Sequence, residues 1–324
     1  MLRLSTKIIY LSCSNTGRIY FPSGKRPILF VNIETSNKLI QAEYAPLDIF
    51  HKHSVYEAQC MLQQVSVRDL EELLDINPQQ DWNDLAYIFE KKYSYPISYI
   101  LSFLFYNLHA DKIKAQGELK LSGLVLEFSD IYKYLENNYS CLKIKINNNL
   151  DNYIKNINYL TSYITKPIKI RLDANKKLSL ESAKEFLSQI NLNFINYLEE
   201  PLEYIQDLPK LYDMTGVNLA LDESCSGKTN WEYLKALKIK YIIIKPSKYL
   251  SIYSVLSLAR EAMRHNIKPV LSTCFESFLS CRLYALIAYE LNLLETHHGI
   301  WVDNFYETSF YTNGRLDLQE LLRT

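Results

Sequence analysis

Cys141-Leu142-Lys143-Ile144-Lys145-Ile146 alternates apolar and cationic residues with a period of two. In an extended strand, residues two apart share a face, so Leu142, Ile144 and Ile146 point one way and Lys143 and Lys145 the other. The same kind of short apolar run recurs at 124–128, 168–172, 194–198, 217–221, 241–244 and 269–271, separated by amphipathic stretches of helical length. Alternating βα units predict an α/β fold with a parallel sheet, and seven of them in one series favour a TIM-type barrel over an open sheet. In a barrel the apolar face of 141–146 meets the outer helices, and the two lysines face the axis.

Each run ends in a polar cluster. Lys145 is followed by Asp173 in Arg171-Leu172-Asp173-Ala174-Asn175 and by Glu199 in Leu198-Glu199-Glu200-Pro201. Asp222 follows in Leu221-Asp222-Glu223-Ser224, and Lys245 in Ile244-Lys245-Pro246. Successive members lie 23 to 28 residues apart, one βα unit each, so all fall at the carboxyl end of the strands, where barrel enzymes build their sites. Three carboxylates gathered there repel one another, and a hard divalent cation resolves the repulsion. Oxygen-only ligands favour Mg²⁺, with Mn²⁺ as a substitute, over Zn²⁺. An acidic residue after a strand often does no more than cap the next helix, which explains one of these positions better than three in series. Lys143 and Lys145, close together and partly desolvated, are expected to have depressed pKa values, and a neutral lysine is a base. Lys245 approaches from the opposite side. The set predicts abstraction of a weakly acidic α-proton from a metal-bound carboxylate, ending in an epimer or, with a β-leaving group, an alkene.

The first hundred residues read differently. Strand-like runs at 8–12, 28–34 and 39–43 precede helical spacing at 55–63, 67–74, 82–91 and 97–109, an α+β module. The most apolar window, 97–108, is too short for a membrane span and holds Ser98, Tyr99, Ser102 and Tyr106, so it predicts a buried helix. Lys plus Arg and Asp plus Glu both number 36, which leaves no basic field to gather nucleic acid. The eight glycines form no phosphate-cradling loop. Six cysteines without a CxxC pair, and a start unlike a secretory signal, predict reduced thiols in a cytoplasmic protein.

Together these motifs resemble the enolase superfamily, and specifically its muconate-lactonising branch with the Lys-x-Lys motif. Ala42-Glu43-Tyr44-Ala45-Pro46-Leu47 and Ser272-Thr273-Cys274-Phe275-Glu276-Ser277 extend the resemblance over nearly the whole chain. It implies an α+β capping domain over 1–110, a modified (β/α)7β barrel over 111–300, and a segment over 301–324 that returns to the cap. By the same resemblance Asp173, Glu199 and Asp222 match the Mg²⁺ ligands. Lys145 matches the acid/base residue, Lys143 its partner, and Lys245 a cation on the other face of the intermediate. Ser272, Thr273 and Arg18 match substrate-binding positions, the last in a loop over 16–26 that also holds Lys25 and Arg26. Within the superfamily the chain is most similar to members that dehydrate a cyclohexadiene carboxylate in menaquinone biosynthesis. The alternatives are racemisation of N-acylamino acids, epimerisation of dipeptides and a non-catalytic barrel. The implied partner is a small carboxylate. Many relatives have glycine where this chain has Ser247.

Other polar features carry less. His297-His298 lacks a third ligand at metal-site spacing and is expected to be structural. His51 and His53 receive no role. The acidic run at 69–75 has leucines at helical spacing and reads as a solvated helix face. The 26 tyrosines follow no stacking pattern and read as packing residues.

Overall fold

The computed structural model describes residues 2–110, 112–225, 229–301, 305–307 and 313–323. Strands β1 (Arg3–Ser12), β2 (Lys25–Glu34) and β3 (Leu39–Tyr44) form an antiparallel sheet in that order, with a short helix α1 (Asn15–Arg18) in the first connection. On β2, Val31 and Ile33 are buried while Phe30 and Asn32, which alternate with them, are half-buried, the alternation of a sheet covered on one face. β1 starts at Arg3, well before the expected residue 8. It is an edge strand, and its first half, with Ser5, Thr6 and Lys7, pairs with β2 through backbone bonds that leave no hydrophobic trace.

Four helices follow: α2 (Val55–Leu62), α3 (Val67–Leu74), α4 (Trp82–Lys92) and α5 (Ile97–Ala110). α2 and α3 begin in capping boxes, Ser54 with Glu57 and Ser66 with Asp69, each worth about 1 kcal/mol. Every residue of α5 from Ile97 to Tyr106 is buried. Among the described residues no helix is long and apolar enough to cross a membrane.

After β4 (Glu118–Lys120) the chain alternates strands with helices: β5 (Gly123–Val125), α6 (Asp130–Glu136), β6 (Cys141–Lys145), α7 (Leu150–Tyr163), β7 (Lys169–Asp173), α8 (Leu180–Ser188), β8 (Ile195–Glu199), α9 (Leu208–Thr215), β9 (Leu219–Leu221), α10 (Trp231–Ala236), β10 (Ile239–Ile244), α11 (Ile252–Arg264), β11 (Lys268–Leu271) and α12 (Phe278–Glu290). β5 through β11 form a seven-stranded parallel sheet in sequential order. The two edges of this curled sheet reach the same segment. His298 N–H donates to Lys120 O (2.8 Å) and Gly299 N–H to Leu271 O (2.9 Å). Inside the curl, Tyr197, Ala220, Ile243 and Val270 pack together, with Arg171 4.8 Å over the Tyr197 ring, so the interior beneath the strand ends is filled.

The first expected run, 124–128, is strand only to Val125. The chain then turns, with Asp130 N–H donating to Glu127 O, and Phe128 packs against Tyr153 of α7, which satisfies the apolar signal without a strand. Gly123 opens β5 beside Tyr134, where a Cβ would come within 2.4 Å of the ring. In the C-terminal segment, residues 302–304, 308–312 and 324 lie outside the described residues. The Phe305 carbonyl accepts from Ser14 N–H and Glu307 N–H donates to Ser12 O, both at the end of β1. Farther on, β12 (Arg315–Asp317) pairs antiparallel with β4 and leads into α13 (Leu318–Arg323) against α12.

His298 is fully buried. Its Nδ1 accepts from Leu271 N–H (3.0 Å) and its Nε2 lies 3.1 Å from Leu293 O. Burial pushes its pKa down to about 3 from the usual 6.5. The native state then binds fewer protons than the unfolded state between these values, so the stability this histidine supplies is complete above pH 6.5 and lost as pH falls toward 3. Urea unfolding of wild type and His298→Gln from pH 7.5 to 4.5 checks this. The variant is less stable at neutral pH, and its stability falls by up to about 1.4 kcal/mol less per pH unit below 6.5.

Candidate active site

The parallel register sets three of the sequence candidates in one row. Lys145 at the end of β6 is paired with Asp173 of β7, and Asp173 with Glu199 of β8. Asp222 and Lys245 each stand one residue beyond the last residue of β9 and β10. Lys143, Lys145, Asp173, Asp222, Lys245, Ser272 and Thr273 all line one cavity at this end of the sheet, and Glu199 adjoins it through Lys143. Tyr20, Leu47, Ile49 and Phe50, from the N-terminal unit, line the same cavity.

Lys143 Nζ lies 2.9 Å from Asp173 Oδ2 and 2.7 Å from Glu199 Oε1. Lys245 Nζ pairs with Asp222, and Lys248 Nζ lies 3.8 Å from the other oxygen of that carboxylate. The lysine ammoniums thus stand among the carboxylates, and no group of three or more His, Cys, Asp or Glu side chains among the described residues forms a ready-made cation cluster. This overturns the expected depression of the Lys143 pKa. Burial does act to lower it, but Asp173 and Glu199 outweigh burial and hold Lys143 well above the ordinary lysine value. Lys245 is raised in the same way, burial being outweighed by Asp222. Glu199 is pushed up to about 8, by burial and then by the Asp173 charge. Burial works to raise Asp173 too, but Lys143 brings it below the usual range.

The adjacent acid Glu200 has a different environment. Its Oε1 accepts from Asp222 N–H and Ser224 N–H and its Oε2 from the Ser224 hydroxyl, all at 2.8 Å, so it braces the loop after β9. Glu199 keeps Oε2 buried with no hydrogen-bond partner. A buried carboxylate oxygen without a donor, beside two further carboxylates at strand ends, fits a cation ligand.

Several contacts had no sequence signal of their own. Tyr20 Oη lies 3.4 Å from Lys145 Nζ, and the Phe50 ring sits 4.5 Å from Lys245 Nζ and 4.7 Å from Lys248 Nζ. His51 is also buried, with Nδ1 accepting from Leu47 N–H and Nε2 3.3 Å from Ser247 Oγ. Ser247, the departure from glycine, donates its hydroxyl to Glu276. The Thr273 hydroxyl donates to the same Glu276. Arg18 is exposed, lies with its guanidinium against Gly24, and is not among the residues lining the cavity. Arg26, expected in the same loop, is the second residue of β2, is buried and faces backbone carbonyls. The pairings of Tyr20 with Lys145, Phe50 with Lys245, His51 with Ser247 and Arg26 with Cys274 join residues far apart in the chain, so no local pattern announces them.

Known proteins share this architecture. The o-succinylbenzoate synthase of Haemophilus influenzae is 33% identical over 125 residues, 37% of this chain and 37% of that protein. The curated relatives that head the comparison are all matched over less than two-fifths of their own length. Among solved structures, MenC from Desulfotalea psychrophila superimposes with a TM-score of 0.78 at 18% identity, over 98% of this chain and 99% of that one. A dipeptide epimerase from Cytophaga hutchinsonii, complexed with Mg and the dipeptide D-Ala-L-Val, gives 0.74 at 18% identity, over 98% and 92% of the two chains. These likenesses establish the fold. Residues 129–320, more than half of the chain, match the family described as enolase C-terminal domain-like, and the protein belongs to the enolase superfamily.

Proposed function

We propose that this protein is an o-succinylbenzoate synthase, a Mg²⁺-dependent carbon–oxygen lyase that dehydrates 2-succinyl-6-hydroxy-2,4-cyclohexadiene-1-carboxylate to 2-succinylbenzoate in menaquinone biosynthesis. The observation that carries this reading is the row Lys145–Asp173–Glu199, continued by Asp222 after the neighbouring β9, with Lys145, Asp173, Asp222 and Lys245 lining one cavity. In this reading residues 111–300 form a (β/α)7β catalytic barrel, residues 1–110 cap it, and the protein works in the cytoplasm.

Asp173, Glu199 and Asp222 would hold the cation. When bound, it supplies positive charge against the negative charge that builds on the substrate carboxylate as the α-proton leaves. Lys145, as the neutral amine, takes that proton. The electron pair of the broken C–H bond forms the new ring double bond, and the C–O bond at the neighbouring carbon breaks. The Lys145 ammonium returns the proton to the departing hydroxide, so one water leaves and the ring becomes aromatic. Lys245 stays a cation on the opposite face, in keeping with the direction of its pKa and its seat over Phe50. Lys143 holds Asp173 and Glu199 in place. Ser272 and Thr273 meet the substrate from the loop after β11.

A second reading has a specific observation behind it. Lys145 and Lys245 line the same cavity from different strands, the arrangement a two-base racemase or epimerase of N-succinylamino acids or dipeptides needs. One experiment separates the two. The protein with Mg²⁺ in D₂O is given the cyclohexadiene substrate and, separately, N-succinyl amino acids and dipeptides. Formation of 2-succinylbenzoate with no α-deuterium in the others supports the synthase. Deuterium in the amino acids with no diene consumption would transfer the assignment to the epimerase.

A further inference from the structure

The loop over 272–275 lines the cavity through Ser272, Thr273 and Phe275, yet its backbone is strained. Phe275 has φ +63°, a left-handed conformation that a bulky side chain rarely adopts. The surroundings hold it there from two directions. The Phe275 carbonyl accepts from Arg26 Nη1 and from the Tyr306 hydroxyl (2.6 Å). The same Arg26 Nη1 donates to Cys274 O (2.8 Å), while Nη2 donates to Ala45 O (2.6 Å) in the N-terminal unit. Arg26 is wholly buried, and its guanidinium lies 5.1 Å from the Phe21 ring. Above the loop, the Phe275 ring stacks on Phe305 at 4.3 Å and packs against Tyr20 at 4.8 Å.

A guanidinium is a costly group to bury, and here it is aimed at carbonyls on both sides of the junction between the N-terminal unit and the barrel loop. A purely structural tie could sit anywhere along that junction. This one grips two consecutive carbonyls, one of them belonging to the strained residue, directly after the two residues proposed to meet substrate.

We propose that Arg26 is a positioning residue, which with Tyr306 clamps the 272–275 loop in its strained form, where Thr273 is tied to Glu276, and so sets the cavity-lining Ser272 to receive a substrate carboxylate. The substrate half of this inference rests on the proposed synthase reading. The clamp itself does not.

The test uses the full-length protein as Arg26→Met, Arg26→Lys and Tyr306→Phe, with two readouts. The first is amide hydrogen exchange of the peptide over 270–277 against that over 141–145. The second is KM against kcat for the cyclohexadiene substrate with Mg²⁺. The clamp predicts that Arg26→Met speeds exchange in 270–277 and leaves 141–145 unchanged, and that KM rises about tenfold or more while kcat stays within about threefold. Arg26→Lys recovers part of the loss, and Tyr306→Phe, which removes one hydroxyl and is well tolerated by the fold, moves both readouts less and in the same direction. Faster exchange spread equally over both peptides, or unchanged exchange in 270–277 in Tyr306→Phe and Arg26→Met alike, overturns the clamp. If wild type fails to consume the substrate, the synthase reading falls, and the exchange readout alone decides the clamp.

Discussion

Lys145→Ala lowers turnover by about 10³-fold or more while Mg²⁺ affinity, measured by calorimetry, stays close to that of wild type. The size follows from what is removed. A positioned acid/base group typically contributes 10²–10⁴-fold, and in this reading one lysine serves both as the base and as the acid that releases hydroxide. The selectivity follows from the contacts. Lys145 stands beside Asp173 in the register, but its ammonium lies near Tyr20 Oη rather than in an ion pair with the carboxylates. Lys143, by contrast, touches Asp173 and Glu199 directly. Lys143→Ala is therefore expected to change cation affinity as well as rate, and the difference between the two variants separates the chemical role from the electrostatic one.

The second large effect concerns the carboxylates. Excess chelator abolishes turnover and added Mg²⁺ restores it, because the protein without cation stays folded: Lys143, Lys245 and Lys248 already stand against Asp173, Glu199 and Asp222. Glu199→Gln keeps the shape of the side chain and removes a charge from the buried oxygen that has no donor. It is expected to weaken Mg²⁺ binding by about 10²-fold, the scale of losing one close charge pair in a buried site. In thermal melts, saturating Mg²⁺ at about 100 times its dissociation constant stabilises wild type by about 2.7 kcal/mol, and the same concentration stabilises Glu199→Gln far less. A variant that bound Mg²⁺ as tightly as wild type would remove Glu199 from the ligand set.

Much of this arrangement was legible in the sequence because it is carried by periodicity. Lys143 and Lys145 share a face through the period of two, and the regular βα spacing brings Lys145, Asp173 and Glu199 into one row of the observed register. The helix starts at Val55 and Val67 were legible from apolar spacing, and the structure adds the capping boxes of Ser54 with Glu57 and Ser66 with Asp69. Other features depend on contacts between distant segments. The division of labour between Glu199 and Glu200 is decided by the backbone of the loop after β9, and the Lys143 environment by acids on two other strands. Reasoning from neighbouring lysines alone gave the wrong sign for Lys143, because the nearer charges are carboxylates from β7 and β8. Arg26 is the clearest case. An arginine read as part of a loop is expected to be solvated, and only the folded junction shows that this one opens β2 and is buried against three carbonyls.

The central claim, that Lys145 and a cation held by Asp173, Glu199 and Asp222 act together on the cyclohexadiene substrate, is tested most directly by following that substrate's ultraviolet absorbance in three parallel samples: wild type with Mg²⁺, wild type with excess chelator, and Lys145→Ala with Mg²⁺. The account predicts loss of the signal in the first sample only, with 2-succinylbenzoate as the product. Loss of the signal at equal rates in all three, or in none of them, would contradict it.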